Sequence, residues 1–466
     1  MKKRKSIKIR VLLFVLSAVL LVSAVPICAS ADRPDPLEHI LGEVYIQNVA
    51  TGMYMDIEYG EFYGYVSDET GANAVQRKYS GSNSQKWIIE RVQEPSPYAG
   101  EIVIRSAYSG KYLGVSYDDT VFLAQYDTID DFNIWQINPT GNGTYTFSFS
   151  FIPTIPDAYT VAVRSPNSSE NALIYQMVEE DMSSDECDEW HIVKKVISVV
   201  NYYDDSFSGY LEGDLIDYID DAVSFANVVY ARYLGIGIYM DGDAQSYESV
   251  MGEKSIADQC GQNSNVICSC DADKCGASCE GVHHKNIRTM SNQLMNDPRN
   301  NNHIYVLWAN RSFGYCDVDT TDNNKHTGTY AVGAVWDNRP VINMLSTQAH
   351  NKDERIATMA IGLAHEMTHC LNMDDVYDND IHKGEDDQYV CIMDKQDMSK
   401  QYQFYHNILA GEWYELSNSS NIGAGVSIGT APFCPSCLNI MKQKVNAYIE
   451  GDWMINGSGT QGTIWE

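Results

Sequence analysis

Positive charge is what this chain has least of. Only 32 of its 466 residues are Lys or Arg, against 63 Asp or Glu, for a formal charge of -31. Six of the basic residues (Lys2, Lys3, Arg4, Lys5, Lys8 and Arg10) precede the first acid, so a chain trimmed at its start carries 26 against 63, or -37. A surface of that sign repels phosphate backbones and anionic lipid headgroups, which excludes a nucleic-acid partner and electrostatic membrane docking. Long hydrophobic runs are also missing. Beyond the N-terminus nothing approaches about eighteen consecutive apolar residues, so stable membrane insertion by a helix is not expected. What is present is ordinary for folded protein: 44% hydrophobic and 20% charged residues, in a length that accommodates two substantial domains.

The N-terminus reads as an address. A basic stretch, MKKRKSIKIR, leads into an apolar and small-residue run from Val11 to Val25, broken by Pro26, and Ala29-Ser30-Ala31 supplies a small-residue cleavage site. This is the three-part signal-peptide pattern over residues 1–31, and the run is short for a membrane span. The mature chain is therefore expected to be secreted and extracellular. Export changes the meaning of cysteine. Of twelve Cys, Cys28 leaves with the signal. Cys260, Cys268, Cys270, Cys275 and Cys279 then read as a disulfide-bonded loop rather than a structural zinc site. Cys434-Pro-Ser-Cys437 lacks the strand–helix context of a redox motif and reads as structural. Eleven remaining cysteines leave one outside any pairing.

The first half repeats itself three times. Gln85-Lys86-Trp87 closes a segment that opens with Val44-Tyr45-Ile46-Gln47-Asn48 and contains Thr51-Gly52-Met53-Tyr54-Met55-Asp56-Ile57. Asn133-Ile134-Trp135 closes a second, with Ile102 to Ser106 and Ser109-Gly110-Lys111-Tyr112-Leu113-Gly114-Val115. Asp188-Glu189-Trp190 closes a third, with Thr160 to Ser165. Short alternating apolar runs separated by Gly, Asn, Ser and Asp are an all-β pattern, and three units that cannot bury their apolar faces alone fit a closed threefold barrel. The arrangement resembles the ricin-type β-trefoil lectins, over residues 38–195. The resemblance implies a carbohydrate ligand and places a sugar-contacting carboxylate at Asp56, where the second repeat has Gly114. A carboxylate beside an aromatic face suits sugar hydroxyls and the apolar side of a ring.

From Val196 the pattern alternates between strands and helices. Strands are expected at Val196–Val200, Gly235–Met240, His303–Trp308 and Tyr330–Trp336, and helices at Asp214–Leu234, Ile287–Met295 and Asp353–His369, which is α/β. The last helix carries His365-Glu366-Met367-Thr368-His369. Histidines four apart project from one helical face and can share one zinc ion, while Glu366 can take a proton from water. A third ligand requires the chain to turn sharply just after His369, and Asn372 suits that turn because Asn tolerates positive φ.

This stretch resembles the metzincin zinc peptidases, most of all the adamalysin (reprolysin) branch, over residues 196–447, with a tail at 448–466. The resemblance implies a catalytic Zn2+ held by His365, His369 and Asp375, Glu366 as general base, and Met393 of Cys391-Ile392-Met393 in the Met-turn below the metal. Asp374, Asp378 and His382 are alternatives for the third ligand, and Asn372 stands where the family has Gly. An Asp ligand would favour activity at neutral to alkaline pH. No motif supports a calcium site. The expected activity is a secreted zinc endopeptidase acting on protein or glycoprotein, with substrate extended along strands between Tyr330 and Asn343. Two other readings stay open: a carbohydrate-binding adhesin with an inert metal site, and another zincin branch with a Glu ligand near Glu412–Glu415. Cys187 is a further candidate to cap the zinc.

Overall fold

The computed structural model describes residues 37–58, 68–115, 122–140, 143–149, 159–163, 171–178, 188–204, 212–247, 249, 266–268, 303–309, 312–314, 333–335, 341–345, 352–373, 391–393 and 432–450. A 3-10 turn at Glu38–Ile40 belongs to one compact unit, Met1–Leu41; everything below lies in the second, Gly42–Glu466.

Twelve strands make the first half: β1 (Gly42–Asn48), β2 (Tyr54–Ile57), β3 (Ala74–Arg77), β4 (Lys86–Arg91), β5 (Ile102–Ser106), β6 (Tyr112–Val115), β7 (Leu123–Tyr126), β8 (Trp135–Pro139), β9 (Tyr145–Phe149), β10 (Tyr159–Val163), β11 (Ala172–Val178) and β12 (Trp190–Val193). The outer strands of each group of four close a ring: β1 pairs β4, β4 pairs β5, β5 pairs β8, β8 pairs β9, β9 pairs β12, and β12 returns to β1. The inner pairs β2–β3, β6–β7 and β10–β11 form three hairpins. A six-stranded barrel with three hairpins is a β-trefoil. Closure removes the exposed edges that short strands would otherwise leave.

The repeating tryptophans lie at its centre. Trp87, Trp135 and Trp190 are buried, and Phe147 packs edge-on between the latter two at 6.3 and 6.4 Å. A buried indole needs an acceptor for its N–H. Trp87 Nε1 donates to the Met55 carbonyl at 3.1 Å and Trp135 Nε1 to the Leu113 carbonyl at 2.9 Å, equivalent places in the first two repeats.

In the second half β13 (Lys195–Tyr203) follows the trefoil directly, and α1 (Glu212–Leu234) leads to β14 (Ile236–Met240). Next come β15 (Gln245–Ser246), β16 (Val266–Cys268), β17 (His303–Ala309), β18 (Ser312–Gly314), β19 (Gly333–Val335), β20 (Val341–Leu345), α2 (Lys352–Cys370) and α3 (Pro435–Glu450). The sheet runs β14-β13-β17-β20-β19, parallel except for β19, which lies antiparallel at its edge. Ile197, Val199, Ile304 and Val306 from the sheet meet Ile219, Val223, Ala226 and Val229 of α1 and Met359, Leu363 and Met367 of α2 in one core. Tyr230 of α1 donates its hydroxyl to the Ala364 carbonyl of α2 at 3.1 Å.

The halves share buried surface. Tyr45 and Tyr54 of the trefoil pack with Val193, Val196 and Ala231, and Asn227 Nδ2 of α1 donates to Gln47 Oε1 at 3.0 Å. Gly237 of β14 is fixed by this junction, since a Cβ there would come within 2.6 Å of the Tyr54 hydroxyl.

The expected strands and helices at 196–240, 303–308 and 353–369 agree with these elements, and the expected strand at Tyr330–Trp336 is described at Gly333–Val335. The expected helix at 287–295 and residues 1–36 lie outside the described residues. No helix among the described residues is long and apolar enough to cross a membrane.

Candidate functional site

Helix α2 runs apolar side inward, with Met359, Ala360, Leu363, Ala364 and Met367 buried, and this burial fixes its rotation. His365 and His369 then fall one turn apart, half-buried, with ring centroids 5.0 Å apart. The helix stops at Cys370, one residue past the second histidine. Asn372 takes a left-handed φ of 63°, Asn372 N–H donates to the His369 carbonyl at 2.9 Å, and Met373 N–H reaches back to the Thr368 carbonyl at 3.2 Å. This is a Schellman stop with Asn in the place usually taken by Gly. The sharp turn that a third ligand requires is therefore present.

The turn also sets the rings. The Met373 carbonyl lies 2.7 Å from His369 Nδ1, and the Ile392 carbonyl lies 2.5 Å from His365 Nδ1. A carbonyl oxygen only accepts, so in each neutral imidazole Nδ1 carries the proton and Nε2 presents its lone pair. The two Nε2 atoms face each other at 3.3 Å. Lone pairs at that separation repel unless a cation or a proton is shared between them. Two nitrogens bound at ~2.0–2.1 Å to one tetrahedral zinc stand roughly 3.3–3.4 Å apart. The chemistry and spacing of this pair fit a metal ion, and the backbone carbonyls behind the rings are the partners that orient metal-binding histidines.

Below the pair sits the turn Cys391–Met393, wholly buried. The Thr368 hydroxyl lies 2.7 Å from the His365 carbonyl and 3.0 Å from Met393 Sδ, joining helix to turn. Thr368, the fourth residue of the His-Glu-Met-Thr-His stretch, was not singled out by sequence reasoning. Glu366 is 7% exposed, and its charge, after burial, helps push the Cys370 thiol up from its ordinary value. Asp375 and its alternatives Asp374, Asp378 and His382 lie outside the described residues, as do Cys187 and Glu412–Glu415.

Cysteine departs from the sequence expectation. Cys370, Cys391, Cys434 and Cys437 are buried thiols, none of them in a disulfide. The physical reason is convergence of an odd set: Cys391, Cys434 and Cys437 lie together, with their sulfurs all within 4.8 Å of one another. Of the five-cysteine loop, only the backbone at Cys268 is described.

In the trefoil, Asp56 lies on β2, 1% exposed. Its Oδ1 accepts from Ile57 N–H at 2.7 Å, and Oδ2 stands 3.6 Å from Arg77 Nη1. Arg77 is held in turn by the Ile57 carbonyl at 2.7 Å and by Asn171 Oδ1 at 2.6 Å. Arg77 was missed because its partners are twenty or more residues away in sequence. The second repeat reproduces the frame without the pair. Gln125 receives the Ser109 hydroxyl as Gln76 receives that of Thr51, yet Gly114 replaces Asp56. A Cβ on Gly114 would lie 2.8 Å from both the Phe132 carbonyl and Asn133 Nδ2, so a side chain is excluded there.

Comparison with known families matches residues 37–120 to the ricin-type beta-trefoil lectin domain-like family. The matched segment, the first repeat and part of the second, is similar to a ricin-type β-trefoil lectin-like domain. No curated protein matches the chain. Among solved structures, the designed threefold-symmetric protein ThreeFoil is 23% identical, with 33% of this chain and 98% of that one covered and a TM-score of 0.27. The Rhizoctonia solani agglutinin is 15% identical over 33% of this chain and 94% of its own, with a TM-score of 0.25. The Macrolepiota procera ricin B-like lectin, solved in complex with lactose, is 19% identical over 32% and 93%, with a TM-score of 0.24.

Proposed function

We propose that this chain is an exported zinc-dependent endopeptidase carrying a carbohydrate-binding trefoil that directs it to glycosylated protein. The observation that carries the catalytic half is the pair of imidazole Nε2 atoms facing each other at 3.3 Å, each ring locked from behind by a backbone carbonyl. His365 and His369 would hold the ion, and Asp375, just past the Asn372 turn, is the third ligand in this reading. When bound, zinc supplies Lewis acidity that polarises the carbonyl of the scissile amide.

The chain's own residues do the rest. Glu366, adjacent to His365 and largely screened from solvent, takes the proton of the attacking water and returns it to the leaving amine. Ile392 and Met373 keep both rings in one tautomer, and Thr368 ties α2 to the buried Met393. Strand β19 is the antiparallel edge of the sheet and lies beside α2, so an extended peptide can add along it.

The lectin-like half is read as a module whose first repeat carries the sugar carboxylate. Repeat one keeps a carboxylate at Asp56, whereas Gly114 leaves repeat two with none. Two measurements test the two halves separately. Glu366→Gln should lower peptide hydrolysis by about 10²–10⁴-fold with zinc content unchanged; undiminished turnover would remove Glu366 from the mechanism. On a glycan array the wild type should bind a defined set of sugars, and Asp56→Asn, with its unfolding midpoint measured alongside, should not. Array binding without any zinc-dependent peptide cleavage would favour the adhesin.

A further inference from the structure

We propose that Cys391, Cys434 and Cys437 form a second metal site, a three-thiolate clasp for a zinc-class cation, that fastens the Met393 turn to the start of α3. The three residues come from segments 43 positions apart in sequence, are all buried, and bring their sulfurs within 4.8 Å of one another. Three sulfurs bound at ~2.3 Å to one tetrahedral ion stand about 3.8 Å apart, so little movement separates this arrangement from a closed site. Cys437 N–H donates to Cys434 Sγ at 3.4 Å, a bond that strengthens when the sulfur is a thiolate. Cys434 immediately precedes α3 and Cys437 lies in its first turn, where the helix dipole also favours negative charge.

Disulfide chemistry serves this cluster poorly. Three thiols cannot all be paired, and any one bridge leaves a third sulfur buried beside it. Metal binding satisfies all three without an oxidant: one divalent cation displaces three S–H protons to solvent and forms three metal–sulfur bonds. Thiolate sulfur selects cations of the zinc class over calcium or magnesium.

The clasp sits behind the histidine pair. Ile392, between Cys391 and Met393, donates its N–H to the Pro432 carbonyl at 2.8 Å, and its own carbonyl meets His365 Nδ1. Fixing Cys391 to α3 thus fixes the acceptor that orients His365. The thiolate site stands whether or not the histidine pair performs peptide hydrolysis.

The test uses the full chain, purified under reducing conditions and loaded with Co2+. Wild type and the double variant His365→Ala/His369→Ala should both show near-ultraviolet thiolate-to-cobalt charge-transfer absorption, and Cys434→Ser/Cys437→Ser should lose it. A second measurement on the unaltered chain guards against a variant that does not fold. With zinc bound, alkylation of Cys391, Cys434 and Cys437, mapped by peptide mass, should be at least about tenfold slower than after chelation. The proposal is overturned if the cobalt band survives the serine pair, or if zinc leaves alkylation at these three positions unchanged. A native disulfide joining Cys391 to either partner would overturn it as well.

Discussion

In the trefoil, Asp56 faces Arg77, Gln76 takes the hydroxyl of Thr51, and the indoles of Trp87 and Trp135 donate to strand carbonyls. In the α/β half, two imidazoles are turned so that their remaining acceptors confront each other at 3.3 Å, and three thiols converge without bridging. These groups of the first region are paired with one another or with backbone. The second brings two imidazole nitrogens and three thiols together in arrangements that suit a shared cation. Burial alone therefore does not mark a site; the convergence of like groups with metal-binding chemistry does.

Trp135→Ala removes a buried ring and its hydrogen bond, so it should destabilise the trefoil by about 3–5 kcal/mol, read from urea unfolding. A loss under about 1 kcal/mol would mean the ring is not part of the threefold core. Asp56→Ala removes the carboxylate that faces buried Arg77 and should cost roughly 3 kcal/mol by the same assay.

The third effect is a pH dependence. His191 on β12 is buried, which pushes its pKa down from 6.5 to about 3, helped by the nearby charge of Arg232. The folded chain thus keeps this ring neutral while the unfolded chain protonates it below pH 6.5. Its contribution is fully present above that pH and declines by about 1.4 kcal/mol per unit as pH falls toward the folded value. Unfolding midpoints of His191→Gln should fall less steeply with acid than those of wild type; parallel curves would refute the assignment. The smallest effect lies at the helix stop. Asn372→Gly should be tolerated within a few tenths of a kcal/mol, while Asn372→Val should cost roughly 1–2 kcal/mol from its left-handed φ.

Much of this was legible before any coordinates. Trp87, Trp135 and Trp190 mark the threefold repeat because each closes a unit with the same local task, burying one indole. The alignment of Asp56 with Gly114 follows from that repeat and is reproduced by the matching bonds of Thr51 and Ser109. The turn at Asn372 was legible because so few residues adopt positive φ. What stayed hidden depends on long-range convergence: Arg77 over Asp56, Ile392 behind His365, and Cys391 beside Cys434 and Cys437. No local periodicity links such positions, and an exported chain with many cysteines points first to disulfides. Asp375 is the remaining sequence-derived ligand whose place lies outside the described residues.

The proposed catalysis depends on the histidine pair acting as a metal cradle. Zinc bound per chain, measured in wild type and in His365→Ala/His369→Ala after equal exposure to the metal, tests it most directly. The double variant should keep its fold and hold one zinc fewer. Equal zinc in both proteins would contradict the account.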